Sequence, residues 1–193
     1  MNNGPIVIVG PRGRGNSTAA AILSRELGLK AVETSDVLID HLAEICSAGP
    51  WPHAGFAGGG PLGNWKRYIS SRKNEYRPML IALADKLRAQ NPTVLIEGAI
   101  ERGGRIIVGP RKRAEFYTWM GAHPLTHVIE IEVFGSGAGE PPSDGFELFD
   151  LSPFPRLHII ERVFGHDDVF QSDVKGVASK IHEQIVGGNN VKK

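Results

Sequence analysis

Short apolar runs alternate with segments in which apolar residues recur every three or four positions, and this alternation continues along most of the chain. The first run, Ile6–Val9, is unbroken, as expected of a strand that is buried on both faces of a sheet. The segment after it has apolar residues at helical spacing and ends at Gly28, and glycine is favoured just after a helix. The pattern therefore predicts a strand, a loop and a helix at the start of the chain.

The rest of the pattern predicts four more strands, Leu29–Glu33, Arg105–Gly109, Thr126–Phe134 and Asp168–Gln171. The run Thr93–Glu97 has the composition of a strand, but Asn91-Pro92 and Gly103-Gly104 frame it as they would a short helix, which we favour. A last helix is predicted from about Val174 to Val186. Strands that alternate with helices predict the α/β class: a parallel five-stranded sheet with helices on both faces and ligands at the carboxyl ends of the strands.

Two segments rich in glycine and proline interrupt this alternation. Residues 47–64 are predicted to form an irregular insert, and residues 135–155 an acidic irregular loop. Long loops inside a compact domain are usually functional or mobile. We interpret residues 1–193 as a single domain in which the aromatic residues around the insert either stack on a base or pack the insert: Trp51, His53, Phe56 and Trp65.

The loop after the first strand fits the phosphate-binding template G-x-x-x-x-G-K-[ST] at all but one position. In that template backbone N–H groups surround the phosphates, the lysine reaches the β- and γ-phosphates, and the hydroxyl binds Mg²⁺. Asn16 stands where the template has lysine. The residues predicted to hold the nucleotide are Gly10, Gly13, Gly15, Asn16, Ser17 and Thr18. The alternative is an ordinary glycine-rich corner between a strand and a helix.

If the loop binds a triphosphate, another side chain has to supply the positive charge of the absent lysine. Arg12 and Arg14 lie in the loop itself and are the nearest candidates. Arginine is always charged and can bind phosphate through two hydrogen bonds at once. We therefore expect these two residues to share the work of the lysine.

Several other residues have the chemistry that phosphoryl transfer requires. Ser17 is the expected magnesium ligand, with a helix N-cap as its alternative role. Asp36 is predicted at the tip of the second strand, where it could orient Mg²⁺ through water, accept a proton from a hydroxyl, or merely cap the next helix. The cations expected to bind donor or acceptor phosphates are Arg77, Arg111, Lys112 and Arg113, although each of the last three could equally be a solvated surface charge. Glu115 could orient an arginine.

Charge and cysteine content limit the partners. The 22 basic and 21 acidic residues leave a net charge of +1, so nothing attracts the whole protein to nucleic acid or to a membrane. A single cysteine, Cys46, excludes an intramolecular disulfide and fits a reducing cytoplasm. No apolar run approaches the roughly 20 residues of a membrane span. We expect a cytoplasmic protein with no membrane partner.

Five motifs occur in the order found in P-loop nucleotide kinases, and the chain most closely resembles the deoxynucleoside monophosphate kinases of tailed bacteriophages. The motifs are the loop end Gly15–Ala20, then Ser35–Leu38, Glu75–Pro78, Gly109–Glu115 and Asp168–Asp173. The resemblance implies a P-loop kinase fold, ATP and Mg²⁺ as cofactors, and a host-cytoplasm location if the protein is phage-encoded. It is compatible with a homodimer.

The same grouping leaves the acceptor open. Its members transfer the γ-phosphoryl group of ATP to a deoxynucleoside monophosphate or to the hydroxymethyl group of 5-hydroxymethyluracil in phage DNA. This chain departs from the family at Asn16 and at Val108-Gly109, where many P-loop kinases have an acidic residue. A third alternative is therefore a protein that binds nucleotide without turnover.

Overall fold

The computed structural model describes residues 4–11, 13–49, 62–134, 150–163 and 165–187. Within these ranges the strands are β1 Ile6–Val9, β2 Ala31–Glu33, β3 Ile106–Val108, β4 His127–Phe134 and β5 Leu157–Val163. All of their pairings are parallel, and the order across the sheet is β2-β3-β1-β4-β5. The predicted α/β architecture with a five-stranded parallel sheet is confirmed.

Helices cover both faces of this sheet. They are α1 Asn16–Leu27, α2 Thr34–Ala48, α3 Leu62–Ser71, α4 Arg77–Gln90, α5 Val94–Glu101, α6 Arg113–Ala122 and α7 Asp167–Gly187. Ile6 and Ile8 of β1 belong to the core under α1 and α7, while Val7 and Val9 belong to the core under α2 to α6. Successive residues of β1 therefore point to opposite buried faces, which explains why its sequence is an unbroken apolar run.

The fifth strand is not where the sequence pattern put it. Residues 168–171 form the first turn of α7, and β5 is instead Leu157–Val163. β5 pairs only with β4, so it lies at an edge of the sheet. Ile160 is buried, but Ile159 is exposed and polar residues stand between the apolar ones. This mixed composition conceals the strand, whereas the acidic residues at 167 and 168 suit the first turn of a helix.

The predicted insert is shorter than its composition suggested. Helix α2 continues through Ala48 and α3 begins at Leu62, so residues 47–64 are helical at both ends, and residues 50–61 lie outside the described residues. Trp65 is fully buried, which fits the packing role. Residues 150–155 form no helix or strand, and residues 135–149 lie outside the described residues. Helix α5, Val94–Glu101, confirms the helical interpretation of the run Thr93–Glu97.

Candidate functional site

The loop between β1 and α1 depends on glycine. Gly10, Gly13 and Gly15 have φ angles of 151°, 77° and 105°, values that side-chain-bearing residues rarely adopt. Gly15 precedes α1 as its N-cap residue, and no side chain caps the first turn. The N–H groups at the start of α1 therefore lack a side-chain acceptor, which is the arrangement that binds anions at helix N-termini.

A cleft of about 400 Å³ opens above this loop, at the carboxyl ends of the strands. Its walls include most of the predicted phosphate-binding residues and two of the predicted arginines: Gly13, Gly15, Asn16, Ser17, Thr18, Arg77 and Arg111. Gly10 is buried at the base of the loop, and neither Arg14, Asp36 nor Arg113 lines the cleft. Arg12 lies outside the described residues.

The side chain of Asn16 is directed into the loop itself. Its amide nitrogen donates to the carbonyl oxygens of Gly10 at 2.8 Å and Pro11 at 3.2 Å. These bonds tie the first turn of α1 to the end of β1. Asn16 therefore stabilises the shape of the loop and contributes no positive charge to the cleft.

The hydroxyl of Ser17 does not cap the helix but contacts a carboxylate that the sequence analysis missed. Ser17 Oγ donates to Glu33 Oε1 at 2.6 Å, and Ser35 Oγ donates to Glu33 Oε2 at 2.9 Å. Lys73 Nζ lies 3.3 Å from Glu33 Oε2 and 2.8 Å from Ser35 Oγ. Burial alone would raise the pKa of Glu33, but the Ser17 hydrogen bond and the Lys73 charge outweigh it and lower the pKa.

Glu33 ends the strand next to β3. At the end of β3 itself, Val108-Gly109 lacks the acidic residue that many P-loop kinases have there. Glu33 is the last residue of β2, and in the sheet it pairs in register with Val108, the last residue of β3. The carboxylate thus reaches Ser17 from the neighbouring strand. Strand register is the signal that could have found it, because Val108 and Glu33 must end at the same edge of a parallel sheet.

Asp36 lies beside the cleft, in the first turn of α2. Its carboxyl accepts a hydrogen bond from the backbone N–H of Glu33, as the third helical residue does in a capping box. Desolvation by its neighbours and the negative charge of Glu33 raise its pKa. Asp36 and Ser17 both line a neighbouring open hollow on the side of α1, so Asp36 stays close to the predicted magnesium ligand without facing the cleft.

A second pocket, of about 120 Å³, adjoins the cleft. The two share five wall residues, Thr34, Ser35, Lys73, Arg77 and Arg111. The remaining wall is partly apolar, with Leu38, Leu80, Ile81 and Ala84, and it also includes the charged residues Asp85, Arg88 and Lys112. Three cationic side chains therefore lie at the junction between the phosphate-binding loop and a small, partly apolar pocket.

Glu115 does bind an arginine, and that arginine is Arg88 of α4. Arg88 Nε and Nη2 each lie 3.0 Å from Glu115 Oε2, and Arg88 also lines the second pocket. Glu115 is fully buried, which raises the pKa of its carboxyl, while the charge of Arg88 acts in the opposite direction. The pair fixes α4 to the start of α6 and holds Arg88 at the pocket wall.

No protein-family model and no curated protein matches this sequence. Among solved structures, the chain is similar to a gluconokinase from Sinorhizobium meliloti 1021, with a TM-score of 0.46 and 14% identity over 96% of this chain and 97% of that one. Within the described residues, no helix has both the length and the apolar character needed to cross a membrane.

Arg162 is a second cleft residue that the sequence analysis missed. It lies near the carboxyl end of β5, and its side chain is 16% exposed. Its Nη2 donates to Asp167 Oδ1 at 3.1 Å. Because the strand itself was not predicted, nothing in the sequence placed this arginine at the carboxyl edge of the sheet.

Cations from two basic segments of the sequence, residues 66–77 and 102–113, also meet on another surface. Lys66 Nζ lies 2.9 Å from Asp40 Oδ1, and Arg102 Nη2 lies 2.6 Å from Asp40 Oδ2. Burial alone would raise the pKa of Asp40, but these two cations lower it. Asp40 therefore offsets part of the positive charge that could have formed a continuous basic face.

Proposed function

We propose that this protein is an ATP- and magnesium-dependent phosphotransferase that moves the γ-phosphoryl group to the phosphate of a mononucleotide, with a deoxynucleoside monophosphate as the expected acceptor. One observation carries the proposal: Lys73, Arg77 and Arg111 line both the phosphate-loop cleft and the adjoining pocket. Phosphoryl transfer needs positioning and positive charge around two anionic groups more than it needs covalent chemistry.

The donor side of the cleft suits a nucleotide triphosphate. The N–H groups at the start of α1 favour phosphate oxygens. Ser17 and Glu33 bring a hydroxyl and a carboxylate within 2.6 Å of each other, and Mg²⁺ prefers such oxygen groups. Ser17 would ligate the ion, and Glu33 would hold Ser17 in place with Asp36 nearby. Bound Mg²⁺ would supply positive charge to the phosphates.

A phosphate acceptor fits the carboxylates better than a hydroxyl acceptor does. A hydroxyl gains from a general base, whereas a phosphate is already an anionic nucleophile. Glu33 lines the cleft, but it accepts hydrogen bonds from Ser17, Ser35 and Lys73 and its pKa is lowered, which makes it a poor base. Asp36 has a raised pKa but faces neither the cleft nor the pocket.

The pocket and the surface charge favour a small acceptor over a polymer. The apolar wall formed by Leu38, Leu80 and Ala84 suits the flat face of a base, and the cations at the junction suit its phosphate. Part of the basic surface that DNA would use is compensated by Asp40. Hydroxymethyluracil in DNA is the second candidate acceptor, because a flipped base could enter the same pocket.

The decisive experiment offers γ-labelled ATP and Mg²⁺ together with a panel of deoxynucleoside monophosphates and with DNA that contains hydroxymethyluracil. Label on a mononucleotide supports the proposal. Label on DNA establishes the second candidate instead. If ATP binds but no acceptor is labelled, the chain is a nucleotide-binding protein without turnover. Failure to bind ATP, ADP or inorganic triphosphate would overturn the phosphate-loop assignment as well.

A further inference from the structure

The loop departs from its template in a way that leaves a definite chemical need. Asn16 replaces the lysine, and its amide nitrogen donates hydrogen bonds to the carbonyl oxygens of Gly10 and Pro11. The anionic phosphates of a nucleotide would therefore meet backbone N–H groups but no cation from this helix turn. A cation from another element has to lie against the loop if the nucleotide is to be bound with ordinary strength.

Arg162 lies in that position. It reaches the cleft from β5, and its Nη1 lies 2.8 Å from the point where a Cβ on Gly15 would stand. Gly15 is the residue that directly precedes the lysine position of the template. The guanidinium therefore lies against the loop, next to the position of the missing lysine. β5 and β3 lie on opposite sides of β1 in the sheet, so Arg162 and Arg111 approach the loop from different sides.

Two contacts hold this guanidinium in place before any ligand arrives. Its Nη2 donates to Asp167 at the start of α7, and its Cζ lies 5.1 Å from the centre of the Phe170 ring, a cation–π distance. The side chain is 16% exposed, while that of Asp167 is 67% exposed. A fixed and largely desolvated cation loses little entropy on binding and interacts more strongly than a solvated one.

We propose that Arg162 binds the phosphate chain of the donor nucleotide and supplies the positive charge that lysine provides in the loop template. This inference rests on the proposed function, because it assumes that the cleft takes a nucleoside triphosphate. It differs from the sequence-based hypothesis, which gave this task to Arg12 and Arg14. Arg14 does not line the cleft, whereas Arg162 does.

The test compares the affinities of purified variants for ATP, ADP and adenosine, measured by calorimetry, with the melting temperature recorded in parallel. Arg162→Met keeps an unbranched stem against Gly15 and Phe170 but removes the charge. We expect it to weaken ATP and ADP about tenfold or more and to leave adenosine nearly unchanged, as the loss of charge-assisted hydrogen bonds would. Arg162→Lys should lose less than Arg162→Met.

Arg156→Ala is the matched control. Arg156 is also half-buried. It directly precedes β5 and so lies at the amino end of the strands, away from the cleft, where its Nη1 donates to Leu125 O at 2.9 Å. Its removal should not weaken ATP. Because Asn16→Lys also removes the bonds to Gly10 and Pro11, it is measured in both the wild-type and the Arg162→Met background. A lysine that improves ATP and ADP binding more in Arg162→Met than in the wild type supports the exchange of roles, and an equal effect in both backgrounds overturns it.

The remaining outcomes distinguish failure of the proposed function from failure of the role proposed for Arg162. If the wild-type chain binds neither ATP, ADP nor inorganic triphosphate, the proposed function fails first. If the wild type binds ATP and Arg162→Met binds it equally well, only the role of Arg162 is overturned. Equal weakening of ATP and adenosine would also overturn it, since it would show that Arg162 supports the nucleoside or the fold rather than the phosphates.

Discussion

Clusters of polar side chains lie at both edges of the same sheet, and they differ in what they face. At the carboxyl edge, Ser17, Glu33 and Lys73 surround an open cleft. At the amino edge, His127 Nδ1 lies 3.3 Å from His158 Nε2, and His127 Nε2 lies 3.3 Å from Arg156 Nη1. His127 is 1% exposed, so this second cluster is closed to solvent at its centre.

Strand direction explains the difference. In a parallel sheet, a connecting helix begins near the carboxyl end of one strand and leads the chain back to the amino end of the next. Helix N-termini, with their anion-binding N–H groups, therefore collect at the carboxyl edge. At the amino edge, the described cluster of His127, His158 and Arg156 bonds internally and to the carbonyl oxygen of Leu125. The comparison therefore predicts that substitutions at the carboxyl edge change activity, while those at the amino edge change stability.

The largest expected effect is that of Ser17→Ala. Loss of the predicted magnesium ligand should reduce turnover by about a hundredfold or more, because it weakens the stabilisation of the transition state. Thermal stability should change little. The matched control is Ser24→Ala on the same helix, where the Ser24 hydroxyl donates to the carbonyl oxygen of Leu29 at 2.6 Å. Full turnover by Ser17→Ala at saturating Mg²⁺ and ATP would refute the assignment.

His127→Gln should change the pH dependence of stability and leave activity at neutral pH intact. Burial, the Arg156 charge and His158 lower the pKa of His127 to about 4, against about 6.5 in an unfolded chain. Between these pH values the unfolded chain binds more protons than the folded protein. The free energy of unfolding of the wild-type protein should therefore fall by about 2 to 3 kcal/mol as the pH falls from 6.5 towards 4. Denaturant unfolding at several pH values measures this slope, and an equal slope in His127→Gln contradicts the argument.

Arg111→Ala should raise the KM for the mononucleotide by at least about tenfold, because it removes a cation at the junction of the two cavities. The KM for ATP should change less. Arg113, two residues further on, is exposed and lines neither cavity, so Arg113→Ala should leave both constants nearly unchanged. Equal effects of the two substitutions would mean that the basic run acts through its total charge alone.

The smallest effect is expected from Arg14→Ala. Arg14 does not line the cleft, so its charge acts on bound ATP only from a distance, and its loss should weaken ATP by less than about threefold. Calorimetric titration with ATP measures this directly. A loss as large as that of Arg162→Met would return the lysine's role to the loop arginines.

The sequence predicted those parts of the molecule that local patterns determine. The strand Ile6–Val9, the glycine loop and the cap at Gly28 follow from apolar periodicity and from backbone angles that glycine favours, and all three appear in the structure. The edge strand Leu157–Val163 was missed because polar residues stand between its apolar ones and hide the strand pattern. Arg162 was missed together with this strand.

Glu33 and Asp36 illustrate the limit more finely. The sequence offers two carboxylates three positions apart, and only the start of α2 decides which of them faces Ser17. Because the helix begins at Thr34, Glu33 keeps an extended backbone and reaches Ser17, while Asp36 turns back towards the backbone of Glu33. A shift of one residue in the helix start would have changed this choice, and helix starts are uncertain from sequence by that amount.

The contact of Gly15 with Arg162 and Phe170 has a consequence for the order in which the protein can acquire its site. A ribosome makes the glycine loop early, but the residues that pack on Gly15 come from β5 and α7, far later in the chain. Contacts between distant segments form only after the intervening chain exists. A nascent chain released before residue 170 would therefore carry the complete loop sequence and still lack the Phe170 ring that packs against Gly15.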